Sequence, residues 1–125
     1  MSEVLRLQQP VRSVRVDPAA IAALEAEVGP ELCAELVEDA VVIAADRLVA
    51  IERALDEEDW TRCARAAREL AEAADGVGLH GLGMQAEALV ACCAALDRTA
   101  AHAVGARVLR TGEAALACCA TRPAG

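Results

Sequence analysis

The sequence has no phenylalanine and no tyrosine, and its one tryptophan is Trp60. A core without aromatic rings must be filled by small and aliphatic side chains, and alanine supplies much of the 56% hydrophobic content. Alanine favours helix and is depleted in strands, so the composition points to closely approaching helices and away from sheets. Lysine is absent too: all twelve basic residues are arginine, against twenty acidic ones, for a net charge of −8. That balance disfavours general nucleic-acid binding through phosphate neutralisation. Nor is there a long apolar run. The most apolar one, Ala40 to Ala45, is stopped by Asp46 and Arg47, far short of the roughly 20 residues that span a bilayer. No membrane partner is expected. No apolar stretch with a small-residue cleavage site opens the chain, and the six cysteines, none in CxxC spacing, suit a reducing cytoplasm.

At 125 residues the chain is long enough for one domain with a core of its own. Residues 1–16 read as an irregular tail, broken by Pro10, with Arg6, Arg12 and Arg15 against a single acid, Glu3. They are either a loose end with Val11, Val14 and Val16 resting on the domain, or a basic arm. Asp17-Pro18 then starts a short helix, Asp as N-cap and Pro in the first turn, which carries Ile21, Leu24 and Val28 and stops at Gly29. Pro30 opens a long helix to about Leu55, with Val37, Val41, Ala44, Leu48, Ile51 and Leu55 at helical spacing. Leu36, Ala40 and Ile43 widen that stripe, so this helix is expected to contact more than one neighbour. After the acidic turn from Asp56 to Asp59, a third helix begins. A fourth runs from about His80 to Leu96 with Leu82, Ala86, Leu89, Cys93 and Leu96 in register. Following Asp97, Arg98 and Thr99, a last helix carries Val104, Val108, Ala115, Leu116 and Cys119 until Pro123. The expected fold is all-α: an up-and-down four-helix bundle over residues 17–120 with a short extra N-terminal helix, then a tail at 121–125.

The third helix and the break after it, Asp59 to Gly83, are the most informative stretch. Trp60, Cys63, Ala64, Ala67, Leu70, Ala71 and Ala74 form one apolar stripe. Opposite them Thr61, Arg65, Arg68, Glu72 and Asp75 advance by steps of four and three, so a polar ridge faces water or a partner. Arg68 with Glu72, and Arg65 with Glu69, stand four apart and could pair for about 0.2–0.5 kcal/mol each, in which case the ridge is only a solvated face. Gly76 to Gly81 spells GxGxxG, but a polar-faced helix precedes it where a dinucleotide site needs a buried strand, so the glycines read as a helix stop and turn. The four carboxylates Asp56 to Asp59 lack the glycine and the alternating spacing of a calcium loop. No metal and no cofactor is expected.

This stretch resembles the histidine phosphotransfer (HPt) domain of bacterial two-component phosphorelays. The family pattern is an Ala-His pair, Leu two after the histidine, Lys-Gly-Ser-Ala next, and Gly ten after the histidine. Ala67, Leu70, Ala74 and Gly78 match it, Asp59-Trp60 resembles the usual start of that helix, and Leu82 falls where the family tends to have leucine. The similarity extends over about residues 17–120. The resemblance implies the bundle fold and a receiver domain or histidine kinase as partner. At the reacting positions the chain departs from the family: Arg68 stands for the phosphorylated histidine, Ala71 for the lysine and Glu72 for the glycine. A guanidinium that stays protonated below a pH of about 12 is no nucleophile, alanine cannot offset phosphoryl charge, and Glu72 repels an incoming phosphoryl group. The implied role is binding without phosphotransfer and without enzymatic activity, through Thr61, Arg65, Arg68, Glu69, Glu72 and Asp75. Two other readings use different residues: phosphotransfer at His80 or His102, or metal or thiol chemistry at the vicinal pairs Cys92-Cys93 and Cys118-Cys119. Neighbours on a helix point about 100° apart and chelate poorly, which favours core packing for the cysteines. A spare apolar stripe would allow a homodimer.

Overall fold

A computed structural model describes residues 16–120, with side chains to Cys118. The expected tails, apart from Val16, and the stop at Pro123 lie outside the described residues. Within them the chain is all-α: five helices and no strand. These are α1 (Pro18–Val28), α2 (Pro30–Glu57), α3 (Trp60–Gly76), α4 (His80–Ala94) and α5 (Arg98–Ala120). No described helix is long and apolar enough to cross a membrane.

The helix ends follow from local chemistry. Asp17 caps α1 by accepting from the Ala19 N–H at 3.0 Å, and Pro18 fills a first-turn position that needs no donor. Gly29, at φ +88°, turns the chain directly into Pro30. Asp59 accepts from the Arg62 N–H at 3.1 Å to start α3, and Asp97 does the same for Ala100 at the start of α5. Two expected boundaries move as a result. Arg98 and Thr99 belong to α5 rather than to the turn before it, because Asp97 is the cap. Leu96 lies beyond α4 in a left-handed conformation (φ 54°) and is 72% exposed, so it is not part of the apolar stripe of α4 expected from its spacing.

Helices α2, α3, α4 and α5 each pack on the next, and α5 returns against α2 to close the ring. Ile51, Leu70, Leu82, Leu89, Val108 and Cys63 are the largest of its fully buried side chains. Burying one aliphatic side chain of this kind contributes about 1.5–3 kcal/mol. Alanines fill the remainder, among them Ala66, Ala67, Ala71 and Ala74 of α3. Between α5 and α2, two glycines allow a close approach. A Cβ on Gly105 would fall 2.5 Å from a methyl carbon of Leu55, and one on Gly112 would fall 2.6 Å from both methyl carbons of Leu48. Two leucines seven residues apart thus sit on two glycines seven apart, antiparallel.

The 28 residues of α2 give it a length of about 42 Å, against about 25 Å for the 17 of α3. Since Arg47 lies opposite Glu69, the end of α3 is reached near residue 40 of α2. The part beyond meets α1, where the Cys33 thiol donates to the Ile21 carbonyl at 4.0 Å. Leu32 and Leu36 consequently remain exposed, and Val42, Ile43 and Val49, alongside α3, are exposed on the side of α2 turned away from the core, so the widening of the stripe by Leu36 and Ile43 does not correspond to a second neighbour there.

Candidate functional site

The turn after α3 decides how the expected docking face is mounted. Gly78 has φ +79°, a conformation that costs other L-residues roughly 1–2 kcal/mol, and a Cβ there would stand 3.1 Å from the backbone N and O of Asp17. The Asp17 N–H donates to the Gly78 carbonyl at 2.9 Å, so the start of α1 is fastened to the end of α3. Gly78 therefore has a structural reason to be glycine. Asp59 and Gly78 together fix the two ends of α3, and between them its polar side faces out.

Arg68 is the ninth of the seventeen residues of α3 and is exposed, as are Thr61, Arg65 and Glu72. Below them Cys63, Ala67 and Leu70 are fully buried. Two members of the expected site behave otherwise. Ala71 is 1% exposed and belongs to the core, so the position matched to the family lysine is not on the ridge at all. Glu69 accepts from Arg47 Nη1 at 2.7 Å, which ties it to α2 and away from Arg65. Arg47 also pairs with Asp46. Arg68 and Glu72 do not pair either; among the described residues no ion pair involves Arg65, Arg68 or Glu72. Asp75 is exposed but leans over the first turn of α4, its carboxylate packed where a Cβ on Gly83 would collide with it. The ridge thus reduces to Thr61, Arg65, Arg68 and Glu72, with Asp75 at its edge.

Both histidines lie off this ridge. His80 opens α4 with Nε2 3.3 Å from Asp17 and Nδ1 3.5 Å from Asp75. His102, on α5, has Nε2 2.8 Å from Glu58, and its ring meets Trp60 edge-on at 5.6 Å. Each imidazole faces carboxylate, which repels an incoming phosphoryl group. Glu58 also accepts from Arg98, and the hydrogen bonds from Arg98 and then His102 hold its carboxyl below the ordinary carboxylate value. This cluster joins the α2–α3 turn to α5. It also answers a local problem, because the acidic stretch Asp56 to Asp59 begins at the negative end of the α2 dipole.

Cys33, Cys63 and Cys93 are buried, Cys92 is half-buried and Cys118 is exposed, so core packing does not extend to Cys118. Burial, reinforced by the neighbouring Cys93, pushes the Cys63 thiol up to about 12, and burial raises Cys93 as well. Neither supplies thiolate near neutral pH. Among the described residues no group of three or more histidine, cysteine or acidic side chains is gathered to hold a metal ion.

The long-range pairing of Arg47 with Glu69 could not be found from spacing within one helix. The signal in the sequence is that Arg47 stands beside the apolar stripe of α2, between Ala44 and Leu48. Comparison with protein-family models, curated proteins and solved structures finds no match.

Proposed function

We propose that α2 to α5 form an up-and-down four-helix bundle of the HPt kind, with α1 as its extra helix, and that the chain acts in two-component signalling by binding rather than by carrying phosphate. The partner is a receiver domain or a histidine kinase in the cytoplasm, and the docking face is the outward side of α3. One observation carries this reading: the Arg68 guanidinium stands exposed at the midpoint of α3 with no ion-pair partner among the described residues. A charge not already neutralised on its own surface is available to a carboxylate-rich partner, where it would speed encounter and fix orientation. It offers no nucleophile for phosphoryl transfer.

Incubation with an autophosphorylated kinase or a phosphorylated receiver should leave no acid-labile phosphate on the chain, while the unmodified protein should retain a receiver or kinase in pull-down. Arg68→Glu should abolish that retention. Labelling that survives Arg68→Glu but disappears in His80→Ala or His102→Ala would replace this reading with active phosphotransfer. Retention unaffected by Arg68→Glu would remove α3 as the docking face.

A further inference from the structure

Four of the twelve arginines, Arg47, Arg53, Arg62 and Arg65, line one cavity of about 330 Å³ between α2 and α3. In a chain with twenty acidic residues, this is a concentration of the minority charge. The floor explains the shape. Ala50, Ala54 and Ala66 leave the space between the helices open, and the long guanidinium arms rise around it. Two of the four are already engaged, Arg47 with Glu69 and Asp46, and Arg62 with Asp59 at 3.5 Å. Arg53 on α2 and Arg65 on α3 have no ion pair among the described residues, and they line the same cavity from its two walls.

We propose that this groove binds a small phosphate monoester, with Arg53 and Arg65 holding the phosphoryl oxygens from opposite sides. The planar fork of a guanidinium matches two oxygens of a phosphate, and such charge-assisted bonds are roughly twice as strong as neutral ones. A volume of about 330 Å³ lies at the small end of small-molecule sites, which sets the ligand at a phosphate with a short body. The net charge of −8 opposes a nucleic-acid strand in the same place. Arg47 is shared between Glu69 and Asp46, and Glu57 also lines the groove. Its carboxylate repels a second phosphate and accepts hydrogen bonds from hydroxyls, which favours a hydroxylated monoester over a polyphosphate. Arg65 belongs to both this groove and the α3 ridge, yet binding here does not require the docking reading to hold.

The test is calorimetric titration of the full chain with glycerol 3-phosphate at constant ionic strength, alongside pyrophosphate, sulfate and a short glutamate peptide. Saturable binding of glycerol 3-phosphate is expected. Arg53→Glu and Arg65→Glu should each weaken it by about tenfold or more, whereas Arg107→Glu on α5 should leave it unchanged. These positions are exposed, and circular dichroism checks that each variant is folded. No saturable binding, equal weakening by Arg107→Glu, or equal affinity for sulfate would overturn the proposal. Binding of the glutamate peptide or pyrophosphate in preference to the monoester would overturn the assigned ligand class.

Discussion

Replacing Gly112 by alanine tests whether the contact between α5 and α2 holds the helices at a distance set by glycine. The new Cβ would lie 2.6 Å from both methyl carbons of Leu48 and 3.1 Å from its Cγ, and Leu48 is 5% exposed, so the leucine has little room to withdraw. Overpacking of this kind costs about 1–3 kcal/mol. Alanine in place of a mid-helix glycine returns about 1 kcal/mol of helix propensity. Gly112→Ala should therefore destabilise the fold by about 0–2 kcal/mol, a range too broad to be diagnostic alone. The background decides. Leu48→Ala should cost about 2–5 kcal/mol by leaving a cavity against α5. In that background the added methyl meets no leucine, so Gly112→Ala should stabilise by about 1 kcal/mol. The double variant should then be less destabilised than the sum of the single ones by about 1–3 kcal/mol, measured by urea unfolding followed by circular dichroism. If the two effects add within about 0.5 kcal/mol, the glycine is not there to seat Leu48, and the close-packing argument for this interface fails.

Two further predictions concern titration. Because hydrogen bonds from Arg98 and His102 depress the Glu58 carboxyl, its contribution to stability is present above the ordinary carboxylate value of 4.5 and is lost as pH falls through its lower folded value. Glu58→Gln should lower the melting temperature at neutral pH and flatten its decline on the acid side; an unchanged acid slope would contradict the assignment. For Cys63 the sign is opposite: with the thiol pushed up from 9.0 to about 12, stability is intact below 9.0 and falls as pH rises towards about 12. In the native protein at pH about 8, iodoacetamide should modify exposed Cys118 first and reach Cys63 only at the rate of unfolding, which mass spectrometry of the two peptides would resolve. Modification of Cys63 at the Cys118 rate would show that it is not enclosed.

The helices themselves were largely legible because their signals are local. Asp17-Pro18, Gly29-Pro30 and Asp59 act within a turn of where they stand, and the apolar stripe of α3 is nearly the observed one, lacking only Ala66. Arg68 also falls on the exposed side, as its place in the helical period requires. What the period does not carry is which neighbour each side meets. Leu36 and Ile43 fit the stripe of α2, but α3 ends before Leu36 and Ile43 stays half exposed beside it. Glu69 has a suitable partner four residues away in Arg65 and instead meets Arg47 from another helix. Gly105 and Gly112 lack side chains and so leave no trace in a pattern of apolar residues, though Leu55 and Leu48 of α2 pack against them.

The same composition shapes both the interior and the surface. With no phenylalanine or tyrosine to act as wedges, the helices come together on alanine and glycine, and the seams between them have shallow floors. A shallow alanine floor cannot grip an apolar ligand by burial, because it offers little area and no deep pocket. It can be edged by long side chains, and in this chain the long cationic side chain is always arginine. Recognition at α3, whether of a protein carboxylate at Arg68 or of a phosphate between Arg53 and Arg65, must then draw its specificity from guanidinium geometry and charge. Arginine-to-lysine replacement at these positions would keep the charge and remove the fork, so a loss of binding in Arg65→Lys approaching that in Arg65→Glu would identify paired hydrogen bonding, rather than net charge, as the basis of recognition.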